Sequence, residues 1–365
     1  MKILFIVDYY YPSVGGAETL YKQLAEGLVS QGHEIVVLTQ CHDRSLAKEE
    51  VLNGVRIYRV YTWHRVFFPY QAFSLARKVV RDVDIIQSAT YSSGILAWRL
   101  KKVTKLPVYI IVHEYLSRRW LDLGFAGLVA YVYEKYLFAH RFDRYIAVSQ
   151  STQNQLLNAG IKSAKLTYIY NGIDYKHFMP QKSDFHLRES LQVKSRDILY
   201  LFSGRLGITK GVMLLLQAWQ KWQRPTNVKL LLILGVADDI EKEKLDAFIQ
   251  LYSLQESVIV ISAVSYKELP RYIASANVVV VPSLTEGFGF FAAEVCAMQM
   301  PVIVNPVDAL PEVVSGKVII TKSVDAQSLT EALQKAFDGY FDNIPSKTFA
   351  WSDTVAKYEK LYQGK

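Results

Sequence analysis

Two glutamates, Glu286 and Glu294, stand eight residues apart in the stretch Pro282-Ser283-Leu284-Thr285-Glu286-Gly287-Phe288-Gly289-Phe290-Phe291-Ala292-Ala293-Glu294. Paired carboxylates raise the question of general acid–base work on a glycosidic bond. On one continuous helix, eight residues give about 12 Å of rise and roughly 80° of rotation. A hydrolase pair needs about 5–9.5 Å between its carboxyls, so that chemistry fits poorly. With Glu286 in a loop and Glu294 one or two turns inside the following helix, the pair grips opposite ends of a long ligand. The glycines at 287 and 289 let backbone approach that ligand, and the helix start favours phosphate. Without that setting, a surface glutamate and a helix glutamate with no shared task would be the ordinary reading.

Cations occur in a matching setting. Ser203-Gly204-Arg205-Leu206 closes an apolar run, and Lys210-Gly211 follows shortly after it. An arginine fork and a lysine point charge beside glycines suit a pyrophosphate at a strand end; two solvated cations are the alternative. His113 follows the run Tyr109-Ile110-Ile111-Val112 and emerges at a strand end. Its ordinary pKa is well placed for proton transfer, yet its role need not be acid–base. Gly15 and Gly16 punctuate a loop, which alone is a weak signal. Asp82-Val83-Asp84 superficially resembles a metal-binding aspartate pair. It leads into Ile85-Ile86 and reads instead as the entry to a buried strand. A carboxylate Mg2+ site also needs substrate phosphates, so no metal is assigned there.

These side chains need rigid elements behind them. Lys2 to Asp8 carries the continuous apolar run of a buried parallel strand. Tyr9 to Gly16, with Pro12, Gly15 and Gly16, reads as a loop. From Glu18 to Ser30, Leu20, Leu24 and Leu28 form one helical stripe. Gly32 ends it, and Glu34 to Thr39 is the next strand. A βαβ unit of this kind implies a doubly wound parallel sheet. Further strands read at Ile85–Ile86, Val108–Val112, Tyr145–Val148 and Leu166–Tyr170. Asn171-Gly172 marks a turn, and Met179-Pro180-Gln181 a linker. The alternation then restarts: a strand at Leu199–Ser203, a helix over Val212–Trp222, and strands at Lys229–Leu234, Val258–Ile261, Val278–Val281 and Val302–Asn305. Ser352 is expected to cap a last helix running from Asp353 to about Tyr362. Val355, Tyr358 and Tyr362 share one face of it and require something folded to pack on.

The chain has 365 residues, which suits two α/β domains better than one core. Hydrophobic residues make up 51% and charged residues 21%, an ordinary globular balance. The two cysteines, Cys41 and Cys296, offer no disulfide framework or metal-ligand spacing, and a reducing cytosolic setting is expected. No secretory signal is read at the N-terminus, and the longest apolar candidate, Phe125 to Tyr133, is too short to span a bilayer. The net charge of +8 is concentrated in residues 1–175, where 21 Lys and Arg face 14 Asp and Glu. From Arg56 to Arg119 there are 12 basic residues and three acidic ones. Such a half implies an anionic partner: a membrane surface, a phosphorylated acceptor or nucleic acid. A basic solvated surface is the alternative. No nucleic-acid motif accompanies the charge, so no nucleic-acid partner is expected. Aromatics interleave with it in Trp63-His64-Arg65-Val66-Phe67-Phe68-Pro69-Tyr70 and Ser117-Arg118-Arg119-Trp120. That pattern suits peripheral contact with an anionic bilayer, unless these aromatics are core.

Residues 282–294 resemble the glutamate, seven residues, glutamate signature of the group 1 glycosyltransferases, retaining enzymes of the GT-B fold. The resemblance spans nearly the whole chain. Gly15-Gly16-Ala17-Glu18 resembles the family's glycine turn, Val112-His113-Glu114 its strand-end histidine, and Tyr170-Asn171-Gly172-Ile173-Asp174 the stretch before its interdomain linker. Ser203 to Gly211 resembles its phosphate-binding turn, and Phe349 to Tyr362 its closing helix. The resemblance implies two Rossmann-like doubly wound domains facing a central cleft, over residues 1–178 and 179–345. A helix in 346–365 crosses back to the first domain. It implies that Arg205 and Lys210 neutralise a donor diphosphate, that Glu294 binds ribose, and that Glu286 contacts the transferred sugar. Backbone at Phe288, Gly289 and Phe290 would hold sugar hydroxyls or phosphate, and Gly15 and Gly16 would approach the donor or acceptor. His113 would touch donor sugar or acceptor. Ser262 to Ser265, with Ala263 and Val264, would edge the nucleobase.

The expected activity is retaining transfer of a glucosyl- or mannosyl-type unit from a UDP- or GDP-sugar to a glycan or lipid-linked cell-envelope acceptor. No cofactor and no obligate metal are expected, and the place of work is the cytoplasm or the inner face of the membrane. The alternatives are a GT-B nucleotide-sugar epimerase and a non-catalytic, sugar-nucleotide-binding partner subunit. The chain departs from the family pattern at Gly235-Val236-Ala237-Asp238-Asp239, where many members carry a second glycine, and at the bulky Phe290-Phe291.

Overall fold

The computed structural model describes residues 1–13, 15–235 and 239–364. The departure noted after Gly235 lies largely outside them. The chain divides into two units: Met1–Gly172 with Phe349–Lys365, and Ile173–Thr348.

The first unit holds an eight-stranded sheet. In chain order its strands are β1 (Lys2–Ile6), β2 (Glu34–Gln40), β3 (Glu49–Leu52), β4 (Val55–Val60), β5 (Ile85–Ala89), β6 (Val108–Val112), β7 (Arg144–Ala147) and β8 (Leu166–Tyr168). Their spatial order is β3-β4-β2-β1-β5-β6-β7-β8, and all neighbours are parallel except β3 with β4. Leu20, Leu24 and Leu28 of the helix Gly16–Ser30 are fully buried, as their spacing predicts. The β3–β4 hairpin was not expected. It turns at Asn53-Gly54, both at positive φ (49° and 81°), the backbone that a two-residue hairpin loop requires.

The second unit holds β9 (Ile198–Arg205), β10 (Val228–Gly235), β11 (Val258–Ser262), β12 (Val278–Val281), β13 (Val302–Val304), β14 (Gly316–Ile320) and β15 (Asp342–Ile344). The order is β11-β10-β9-β12-β13-β14-β15, parallel except for the last pair. Apart from the β3–β4 hairpin, the order of strands across each sheet reverses at one place: beside β1, where β5 returns, and beside β9, where β12 returns. In open α/β sheets the carboxyl ends of such strands border the ligand crevice.

Two sequence expectations need correction. The residues Met179-Pro180-Gln181, read as a linker, lie inside the second unit, because the chain is already anchored before them. His177 stacks on Tyr266 with ring centroids 4.5 Å apart, its Nε2 donates to the Tyr266 carbonyl (2.8 Å), and Phe178 is fully buried. Ser352 does not cap the last helix. That helix is Trp351–Tyr362, with Ala350 at its N-cap and no side-chain cap. Contacts fix its start instead: Trp351 covers Gly172, where a Cβ would come within 2.4 Å of the indole, and Thr354 Oγ1 donates to the Tyr170 carbonyl (2.9 Å). Val355, Tyr358 and Tyr362 are buried as predicted. Val355 lies against Gly27, and the Tyr362 hydroxyl donates to Gln87 of β5 (2.8 Å).

Candidate functional site

The β9–β12 switch point brings together Lys210 and Glu286 of the charged residues predicted from sequence. β9 ends in Ser203-Gly204-Arg205, and Arg205 projects into solvent with no ion pair among the described residues. The chain then makes a short 3-10 turn, Ile208–Lys210, and enters the helix Val212–Lys221 through Gly211. Gly211 has φ 70°, and a Cβ there would lie 2.0 Å from the Pro282 carbonyl oxygen at the end of β12. Only glycine permits that approach. The Leu284 amide donates to Thr209 O (2.8 Å) and closes the contact between the two loops.

That contact sets Lys210 against Glu286. The ammonium lies 2.7 and 3.1 Å from the two carboxylate oxygens, and both side chains are mostly buried. Glu286 is in the loop and Glu294 in the second turn of the helix Phe290–Ala297, capped by Gly289 at φ 90°. Glu294 is only 8% exposed, and burial pushes its carboxyl up to about 8. No hydrogen-bond donor reaches it among the described residues, and its charge in turn raises the Tyr266 phenol after burial has done so. Phe288 is buried edge-on to Phe290 at 5.2 Å. Ala263 is exposed and Val264 half-buried in the loop after β11, two strands from β9.

In the first unit, His113 follows β6, and its Nε2 shares a short hydrogen bond with the Tyr21 hydroxyl. The rings meet edge to face at 5.4 Å. Burial lowers the imidazole to about 4, so it is neutral at physiological pH and serves as a hydrogen-bonding group rather than a cation. Gly15 is the N-cap of the helix Gly16–Ser30, its backbone extended. Asp8, just past β1, accepts the Ser93 amide at the start of the helix Ser92–Thr104 (2.9 Å), and burial raises its carboxyl to about 7. Asp84 accepts the Lys2 amide (2.8 Å), the strand-entry role read from the sequence.

The Glycosyltransferase Family 4 profile matches residues 14–177, and the Glycosyl transferases group 1 profile matches residues 183–345, which include Arg205, Lys210, Glu286 and Glu294. The chain belongs to the group 1 glycosyltransferases. An uncharacterized glycosyltransferase of Methanocaldococcus jannaschii is 29% identical over 87% of this chain and 84% of its own length. A phosphatidylinositol N-acetylglucosaminyltransferase subunit of Arabidopsis thaliana is 22% identical over 99% of this chain and 81% of its own. The crystal structure of Anabaena HepE in complex with UDP and glucose superimposes with a TM-score of 0.77 at 20% identity, covering 99% and 95% of the two chains. That likeness places the glycosyltransferase in the GT-B fold.

Sequence reasoning missed the residues that hold the Glu286 loop. Asp308 accepts from the Glu286 amide (3.0 Å) and the Thr285 hydroxyl (2.7 Å), from a backbone at φ 44°. Asn305, fully buried, donates to the carbonyls of Pro282 (2.8 Å) and Ser283 (3.2 Å) and accepts from Thr321 (2.9 Å). No motif flagged either residue, since both act on backbone about twenty positions away.

The buried carboxyl of Glu294 makes a measurable pH signature. Unfolded, it ionises near 4.5; folded, near about 8. Between those values the folded chain keeps a proton that the unfolded chain has lost, so stability falls as pH rises through that window. Asp8 acts in the same sense up to about 7. Thermal melts of Glu294→Gln are expected to lose less stability than wild type as pH rises from about 5 to about 8. Identical slopes would show that this carboxyl does not titrate as a buried acid.

Proposed function

We propose that this glycosyltransferase is a retaining hexosyltransferase. It takes a UDP- or GDP-sugar and passes a glucosyl- or mannosyl-type unit to a hydroxyl of a glycan or lipid-linked cell-envelope acceptor. The observation that carries the reading is the Lys210–Glu286 pair, held at 2.7 Å beside Arg205 at the β9–β12 switch point. Lys210 holds Glu286 until a ligand with more negative charge competes for it. A donor diphosphate draws Lys210 away, and Arg205 adds a fork to the same phosphates. Glu286 is then free for the hydroxyls of the sugar and for positive charge near its anomeric carbon. Glu294 takes the ribose, and the amides of Phe288, Gly289 and Phe290 bind sugar hydroxyls or phosphate.

In the transfer step the acceptor oxygen bonds to the anomeric carbon on the face from which the diphosphate leaves. The bond between that carbon and the phosphate oxygen breaks, and the acceptor proton passes to the departing phosphate. Configuration is kept and no separate base is needed. Arg205 and Lys210 stabilise the leaving charge, work that electrostatic preorganisation performs without a metal. Neutral His113 and the backbone of Gly15 and Gly16, all in the first unit, contact sugar or acceptor.

UDP and glucose in Anabaena HepE support the donor class, and the name of the Arabidopsis relative supports a lipid acceptor. The basic first unit, with Trp63 80% and Tyr70 64% exposed, supports work at an anionic membrane surface on the cytoplasmic side. No described helix is long and apolar enough to cross a membrane. The test is a panel of UDP- and GDP-sugars read by nucleotide release and thermal shift. One nucleotide series is expected to raise the melting temperature and to release nucleoside diphosphate. Stabilisation with no release or transfer with any acceptor would make the chain a non-catalytic binding partner, and an epimerised donor would make it an epimerase.

A further inference from the structure

The helix Gly124–Ala139 is apolar on both sides. Its inner face buries Gly127, Glu134 and Leu137. Its outer face carries Phe125, Val129, Val132 and Tyr136, which are 82%, 58%, 58% and 49% exposed. Their spacing puts them within roughly 60° of one line over about 16 Å. Leu128 widens the stripe. A soluble surface helix normally turns charge outward, and a contiguous apolar stripe of this kind marks an interaction face.

Basic groups gather at the C-terminal half of the stripe, and their positions are fixed. Glu134, toward the C-terminal end of the helix, turns inward and accepts from the amides of Leu116 (3.2 Å) and Ser117 (2.8 Å) and from Trp120 Nε1 (3.0 Å). This fixes the turn that displays Arg118 and Arg119. Just beyond, Tyr136 meets His140 edge to face (4.7 Å), His140 stacks on Trp98 (3.7 Å), and Lys102 sits over the same indole (3.8 Å). Arg141 is exposed beside them.

We propose that the outer face of Gly124–Ala139 is the element that docks this protein on an anionic membrane, with the helix axis in the plane of the bilayer. The stripe runs along the side of the helix over about 16 Å, so burying all of it lays the axis along the surface rather than end-on. The apolar stripe then lies at the acyl boundary while Arg118, Arg119, Lys102 and Arg141 meet lipid phosphates. The assignment rests on the membrane-surface reading above and adds the surface responsible.

Co-sedimentation of the full chain with phosphatidylcholine vesicles, with and without phosphatidylglycerol, tests it at low and high salt. Wild type is expected to bind the anionic vesicles at low salt and to be weakened by salt. Phe125→Asp/Val132→Asp is expected to lose at least about ten-fold in partitioning, since two buried apolar side chains are forfeited, with an unchanged circular dichroism spectrum. Arg118→Glu/Arg119→Glu is expected to remove most of the salt-sensitive part. Wild type that stays in the supernatant would end both the helix assignment and the membrane reading. Wild type that binds while the aspartate variant binds equally would overturn the helix assignment alone. A wild-type dimer that the aspartate variant splits, seen by light scattering, would overturn it in favour of a second copy of the chain.

Discussion

Replacing Glu286 by alanine is expected to cut sugar transfer by about 10²–10³-fold, the loss typical of one electrostatic contact to the transition state. The same variant is expected to bind UDP or GDP at least as tightly as wild type. The reason is the pair at 2.7 Å: in the free protein Glu286 occupies Lys210, so a diphosphate must compete with it. Without the carboxylate, Lys210 is free for phosphate, while the contact to the sugar is gone. Lys210→Ala should split the other way. It removes a phosphate cation and leaves an uncompensated carboxylate where the diphosphate must enter, so both nucleotide affinity and kcat should fall. Isothermal titration of the nucleotide with initial rates for each variant separates the two. Equal loss of nucleotide affinity in both variants would contradict the exchange of partners.

Gly211→Ala should be the most damaging small substitution in the second unit. The new Cβ would lie 2.0 Å from the Pro282 carbonyl oxygen, with backbone on both sides of the clash and φ at 70°. Left-handed backbone costs a side chain about 1–2 kcal/mol, and overpacking typically adds about 1–3 kcal/mol. Scanning calorimetry should therefore show the melting temperature falling by roughly 5–15 °C. Turnover should fall too, because the same contact positions Lys210 on Glu286. Gly339 is the control: its φ is 81° but a Cβ there meets nothing within 4 Å. Gly339→Ala should incur only the backbone strain, and a loss as large as that at Gly211 would refute the steric account.

The legible parts of the fold are those where burial is continuous. Val108–Val112 and Val278–Val281 are strands from end to end, because a strand covered on both faces must be apolar at every position. The placement of Glu286 before a helix and Glu294 inside it was readable from the glycines between them. Three things were not. The Asn53-Gly54 hairpin carries a clear turn signal, but its strands alternate weakly in sequence and β3 sits at the sheet edge. Ser352 has the chemistry of a cap, yet the packing of Trp351 on Gly172 sets the helix start one residue before it. Asp308 and Asn305 hold the Glu286 loop by bonds to backbone, which leave no spacing pattern. The mutual pairing of Lys210 and Glu286, 76 positions apart, is a product of sheet order and not of either motif.

The central claim is that the β9–β12 loops bind a nucleoside-diphosphate sugar and release its sugar with retention. Proton NMR of a running reaction with the donor that gives the largest thermal shift reads both parts at once. Wild type is predicted to liberate nucleoside diphosphate while the first sugar product carries the donor's anomeric configuration, and Glu286→Ala to leave the donor intact over the same period. A first product of opposite configuration, or unimpaired release by Glu286→Ala, would contradict it.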